Sequence, residues 1–205
     1  MKKCKWFLLL FVSLSYFIIP YLPVAWGWEN SLLEHLQIAI LTLGLILNYR
    51  WWQEATLDNN LSNTRFFAWI TPLWLLMIGR ELSWGRVFYP KAFDPVNGPS
   101  FLNLTQVPYG SLVNPLLTVI IIVWLYAVIK YALYKIPYQL LKNRRFPVTE
   151  LIITIAAFAV ADIGEHKLNL QTMEELNECF AYLGLIWVAY SVKRALRKEN
   201  ECVIE

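Results

Sequence analysis

Six stretches of the chain are dominated by apolar side chains: about residues 6–26, 32–52, 66–84, 113–134, 148–165 and 174–192. Each is read as a transmembrane helix, because crossing the hydrocarbon takes about 20 residues at 1.5 Å per residue. Trp6–Trp28 and Val113–Ile129 carry no charge at all. In the other four segments the uninterrupted runs are His35–Tyr49, Phe66–Gly79, Leu151–Ala161 and Cys179–Val192, which are 15, 14, 11 and 14 residues long. If these segments span, their ends carry ionisable groups toward the membrane.

The basic residues favour spanning. With a cytoplasmic N-terminus and six crossings, Lys2, Lys3, Lys5, Arg50, Arg65, Lys130, Lys135, Lys142, Arg144, Arg145, Lys193, Arg194, Arg197 and Lys198 share one side, 14 of the 18 Lys and Arg. Such an excess on the cytoplasmic side is what orients multi-pass proteins, and adding or removing one span would destroy it. The fold expected is therefore an all-α bundle of six transmembrane helices in one domain over residues 1–205, with both termini cytoplasmic. The location expected is the inner (plasma) membrane. A run of prolines (Pro90, Pro95, Pro99, Pro108) excludes a regular helix from the outer loop at 87–109, which should form an ordered cap or a partly re-entrant segment.

Composition agrees. Of 205 residues, 58% are hydrophobic and only 16% charged, against about a quarter charged in soluble domains, and mean hydropathy is +0.44. The lipid bilayer is the expected partner. A soluble nucleic-acid binder is disfavoured, since the net charge is only +3 and contact with anionic lipid accounts for the basic loop Lys135–Arg145. Cys4 and Cys202 fall on the reducing side and Cys179 lies within a span, so no disulfide framework is implied.

Within the spans, small and polar positions recur at helical spacing: Glu34, Gln37, Leu41, Gly44, Asn48; Thr154, Ala157, Ala161, Gly164; and Glu174, Asn177, Ala181, Gly184, Val188, Ser191. Small residues let helices approach closely, and polar ones need partners away from lipid. The second and sixth spans also resemble each other. Glu34-His35-Leu36-Gln37 aligns with Glu174-Glu175-Leu176-Asn177, and Leu43-Gly44-Leu45 with Leu183-Gly184-Leu185.

Both histidines and nine of the 15 acids fall in the outer half on this topology. Span five, with only 11 uncharged residues, must bring Glu150 or Asp162 toward the hydrocarbon, at about 2.5–3.5 kcal/mol unless the group is paired, solvated or protonated. The candidate catalytic residues are Glu81, Asp162, His166, Glu174 and Glu178. A divalent metal is one use for such groups, with Glu34, His35, Glu165, His166 and Glu178 as its candidate ligands. Arg80, Trp84 and Arg86 are the candidates for holding an anionic head group. The competing reading is that these charges pair and simply hold helices together.

At Glu81-Leu82-Ser83-Trp84-Gly85-Arg86 the chain resembles a group of uncharacterised bacterial polytopic membrane proteins that carry a Glu-Glu-Ile-Ser-Trp-Gly-Gln-Arg-like signature after an apolar helix. Here Arg80 replaces the first acid, and the Gln before Arg86 is missing. The resemblance implies a multi-helix membrane fold in which these acids matter, and supplies no reaction. The leading functional expectation is a membrane-embedded enzyme acting at the outer face on a lipid or envelope precursor. The alternatives are a proton- or cation-coupled transporter, using Asn48, Glu150, Thr154 and Ser191 as an inward path, and a non-catalytic assembly or anchoring subunit.

Overall fold

The computed structural model describes residue 10 and residues 12–95, 98–168 and 170–204, with only the backbone described for Glu165, Lys167, Leu168 and residues 199–204. The protein is all-α, about 80% helical. Its helices are α1 (Val12–Tyr21), α2 (Leu32–Leu57), α3 (Leu61–Glu81), α4 (Gly110–Lys130), the short α5 (Lys135–Lys142), α6 (Val148–Leu168) and α7 (Gln171–Ile204). A single antiparallel hairpin, β1 (Pro90–Asp94) and β2 (Gly98–Phe101), lies between α3 and α4.

Among the described residues α2, α4 and the Gln171–Lys198 part of α7 are long and apolar enough to cross a membrane. The chain is thus a membrane protein by the length and composition of its helices. Helices α3 and α6 have 21 residues each but are more polar. Helix α3 opens on Ser62-Asn63-Thr64-Arg65 and holds Thr71 and Pro72 at mid-length, and α6 carries Glu150, Asp162, Glu165 and Lys167.

One feature of the sequence reading is corrected. The uncharged run at 6–26 does not continue as α-helix to Trp26. Its described part tightens into a 3₁₀ turn at Ile19–Tyr21 and is followed by a second 3₁₀ turn at Val24–Gly27. Pro20 and Pro23 explain the stop, since each lacks the N–H that an α-helix needs. The start of that run lies outside the described residues. The loop at 87–109 contains an ordered antiparallel hairpin. Asp94 pairs with Gly98 and Phe93 with Pro99, with an irregularity between Pro90 and Ala92. Gly98 has φ +81°, and a Cβ there would meet the ring of Trp28 at 2.5 Å. That ring also meets Phe93 edge-on at 5.9 Å.

The chain divides into two compact units. One comprises the described part of Met1–Leu41 with Val87–Phe101 and Pro147–Val188; the other comprises Thr42–Arg86, Leu102–Phe146 and the described part of Ala189–Glu205. In the first, Val12, Ala157 and Ala181 form a small apolar centre with Phe158 and Phe180 against it. The helices close on each other where side chains are small. A Cβ on Gly184 would lie 2.3 Å from Thr154 Oγ1, and one on Gly164 would lie 3.2 Å from the Glu174 nitrogen.

The second unit has a larger aromatic core of Trp51, Phe66, Phe67, Leu140, Val192 and Leu196. Helix α5 joins it through Ile136 and Leu140. Gly44 leaves room for the buried Trp74 ring, which a Cβ would meet at 2.5 Å. Asn48, fully buried, donates to the Phe67 carbonyl at 3.0 Å and to Thr71 Oγ1 at 2.9 Å. Lys193 pairs with Glu54 at 2.5 Å and lies over the Trp51 ring.

Candidate functional site

In the first unit the start of α2 and the start of α7 meet through their polar faces. Glu34 sits in the first turn of α2, where a carboxylate suits the exposed N–H groups and the helix dipole. It accepts the Asn30 N–H at 2.7 Å. One turn further on, Gln37 is fully buried. Its Nε2 donates to the Glu175 main-chain carbonyl at 2.9 Å and to Glu175 Oε2 at 2.7 Å. Glu175, half-buried, is within electrostatic reach of Glu34, Glu174 and Glu178. Three carboxyl groups from two helices therefore act on Glu175 at this end of the unit. Glu178 is itself buried.

Asn177 occupies the position in α7 that matches Gln37 in α2, and it too is fully buried. Its Nδ2 donates to the Met173 carbonyl at 2.8 Å and to Ser15 Oγ of α1 at 3.1 Å. Ser15 Oγ in turn donates to the Val12 carbonyl at 2.8 Å. The side-chain oxygens of Gln37 and Asn177 have no hydrogen-bond partner among the described residues. A buried amide oxygen left unpaired costs about 1–3 kcal/mol, so the interior of this unit holds unused acceptors next to its acids. Deeper in the unit, Thr154 donates to the Glu150 carbonyl at 2.9 Å, with both side chains buried.

The histidines do not join this group. His166 pairs with Asp162 one helical turn earlier, Nδ1 to Oδ1 at 3.4 Å, and both side chains are exposed. His35 Nδ1 turns to the Ser31 carbonyl on an exposed face. Neither histidine nor Asp162 is among the groups acting on Glu175. Among the described residues no set of three His, Cys, Asp or Glu could hold a metal ion. The side chain of Glu165 lies outside the described residues. Each ring is held through Nδ1 by a partner one turn earlier on its own helix, Ser31 for His35 and Asp162 for His166.

Glu81, Arg80, Trp84 and Arg86 belong to the second unit. Glu81 ends α3 as a buried side chain, 3.8 Å from Arg80 Nε, whose own side chain is exposed. The next residues turn sharply: Ser83, Trp84 and Gly85 all have positive φ, at 45°, 56° and 86°. Such backbone is costly for serine and more so for a bulky tryptophan. The turn folds the Trp84 ring back onto Gly79, where a Cβ would meet it at 2.5 Å. Arg86 Nη2 reaches Ser83 Oγ at 3.5 Å.

Sequence reasoning singled out Glu34, Glu174 and Glu178 but passed over Glu175 and the two amides as site residues. Their signal was present, since Gln37 and Asn177 lie on the polar stripes and at matching positions of the internal similarity. The helices and their polar interior define the class, an all-helical membrane protein with an acid–amide cluster. No protein-family model, curated protein or solved structure matches the chain.

Proposed function

We propose that this chain is a multi-pass protein of the inner membrane, with six spans and both termini cytoplasmic. Its acid cluster on α2 and α7 then lies at the outer face and performs acid–base chemistry on a lipid or envelope precursor. The observation that carries the reading is the Gln37–Glu175 contact, in which a fully buried amide holds one carboxyl within reach of Glu34, Glu174 and Glu178. Carboxyl groups gathered in this way can supply a proton to a leaving group and accept one from an attacking group. Glu175 is the candidate for direct contact with substrate, and Gln37 is a positioning residue.

The test is mass spectrometry of lipids and lipid-linked precursors from cells lacking the gene, complemented with wild type, Glu175→Gln or Glu34→Gln. A precursor should accumulate in the deletion and clear with wild type. It should persist with Glu175→Gln expressed at the wild-type level. Identical lipid pools in every strain would overturn the reading.

A second reading is a proton-coupled transporter. It is favoured by the buried polar groups beyond the acids, Ser15 with Asn177 and Thr154 with Glu150. Proton flux into liposomes driven by a pH gradient, lost in Glu150→Gln, would favour it over the enzyme.

A further inference from the structure

Within the second unit, an open apolar cavity of about 620 Å³ runs between α3 and α4, lined by Ala68, Trp69, Pro72, Val123, Trp124 and Ala127. Its size falls in the usual range for small-molecule sites, about 300–1,000 Å³. The floor is rigid, because the Trp69 and Trp124 rings stack at 4.5 Å and 6° and Trp124 Nε1 donates to the Trp69 carbonyl at 3.0 Å. A second cavity of about 440 Å³ shares Pro72 and Ile120 with the first and reaches Trp84. The two make one furrow along most of α3, whose 21 residues cover about 30 Å, the thickness of the hydrocarbon.

At the other end of the furrow two cations lie about one ring, that of Tyr131. Arg65 lines the first cavity and lies 5.2 Å from the centre of the Tyr131 ring. Lys130 Nζ lies 5.7 Å from the centre of the same ring and 5.4 Å from that of Tyr126. Both side chains are exposed, and among the described residues neither has a carboxylate partner. A ring face attracts a cation but does not neutralise two of them. The missing counter-charge and the apolar furrow belong to one kind of molecule, an anion with long hydrocarbon chains.

We infer that the α3/α4 furrow is a binding site for an anionic phospholipid, with its phosphate at Arg65 and Lys130 and an acyl chain along Trp69, Trp124 and Pro72. The inference does not depend on the acid cluster or on its proposed chemistry. Each cation contributes about fivefold in affinity toward a head group of net negative charge over one whose phosphate is neutralised by its own choline, so the pair contributes about 25-fold.

The test is native mass spectrometry of delipidated full-length protein, titrated with phosphatidylglycerol or with phosphatidylcholine of the same chains. Phosphatidylglycerol should bind about 25-fold more tightly. Arg65→Gln with Lys130→Gln, both at exposed positions, should erase that preference while leaving the common chain affinity. Ala127→Trp should block the furrow and lower binding of both lipids. Equal binding of the two lipids to wild type would overturn the inference. So would a preference that survives the double substitution, or a disulfide-linked dimer formed through Val123→Cys, which would mean that a second copy of the chain covers the furrow.

Discussion

Two buried amides on α2 show how a residue's neighbours set its worth. Asn48 donates to Phe67 and Thr71, yet Thr71 Oγ1 also donates to the Phe67 carbonyl at 3.1 Å. Replacing Asn48 by Leu therefore strands no partner and removes an oxygen that is itself unpaired. Measured polar contacts between membrane helices average about 0.6 kcal/mol, and Asn48→Leu should cost no more than about 1 kcal/mol. Gln37→Leu differs, because it takes a donor from Glu175 Oε2 in a half-buried place. Its cost should be about 1–3 kcal/mol. Thermal unfolding of the two variants in the same detergent checks the order, and Asn48→Leu as the more damaging change would contradict it. Periodicity exposed both side chains as interior, since Gln37, Leu41, Gly44 and Asn48 are all buried. It could not reveal their partners, which lie 138 residues away for Gln37 and 19 for Asn48. The exposed pair of Asp162 with His166 shows the opposite failure, where chemistry suggestive in sequence is spent on a surface contact within one helix.

Among the elements, the long apolar helices were legible because lipid-facing and helix-facing positions both demand apolar side chains. The hairpin was not, since β1 is exposed along its whole length and carries no burial pattern to read. Neither was the stop in α1, where apolar sequence runs on through Pro20 and Pro23 while the backbone changes. The turn after α3 makes a testable case. Gly85 sits at φ 86°, where a Cβ is strained, so Gly85→Ala should destabilise by about 1–2 kcal/mol. Ser83→Gly relieves the same kind of strain at φ 45° and should be neutral or stabilising. Chemical denaturation of both variants measures the difference. If alanine at 85 is harmless, the left-handed turn is not what the chain adopts in the membrane.

For the whole molecule, the six-span topology and a three-span alternative built on α2, α4 and α7 differ at definite sites. With Cys4, Cys179 and Cys202 changed to Ser, single cysteines at Lys91, Lys142 and Arg197 can be tested with a membrane-impermeant maleimide. Six spans require Lys91→Cys to react in intact cells, and Lys142→Cys and Arg197→Cys only after permeabilisation. Three spans would put positions 142 and 197 on opposite sides, since α7 alone would then separate them. Positive charge in the sequence argued for six, while hydropathy of the helices selects three. The disagreement traces to Glu150, Asp162, Glu165 and Lys167 in α6, to the polar first turn of α3 and to α1, whose described part Val12–Tyr21 is short of a crossing.

Helix α7 has 34 residues, about 51 Å of rise, against a hydrocarbon slab of about 30 Å. Its first turns are tied to α2 and α1 through Glu175 and Asn177. The surplus must therefore emerge at the far end, beyond Lys193 and Arg194. Bilayers of different thickness would then be accommodated by how much of this tail stands in water, and the end that carries the acid cluster would keep its depth.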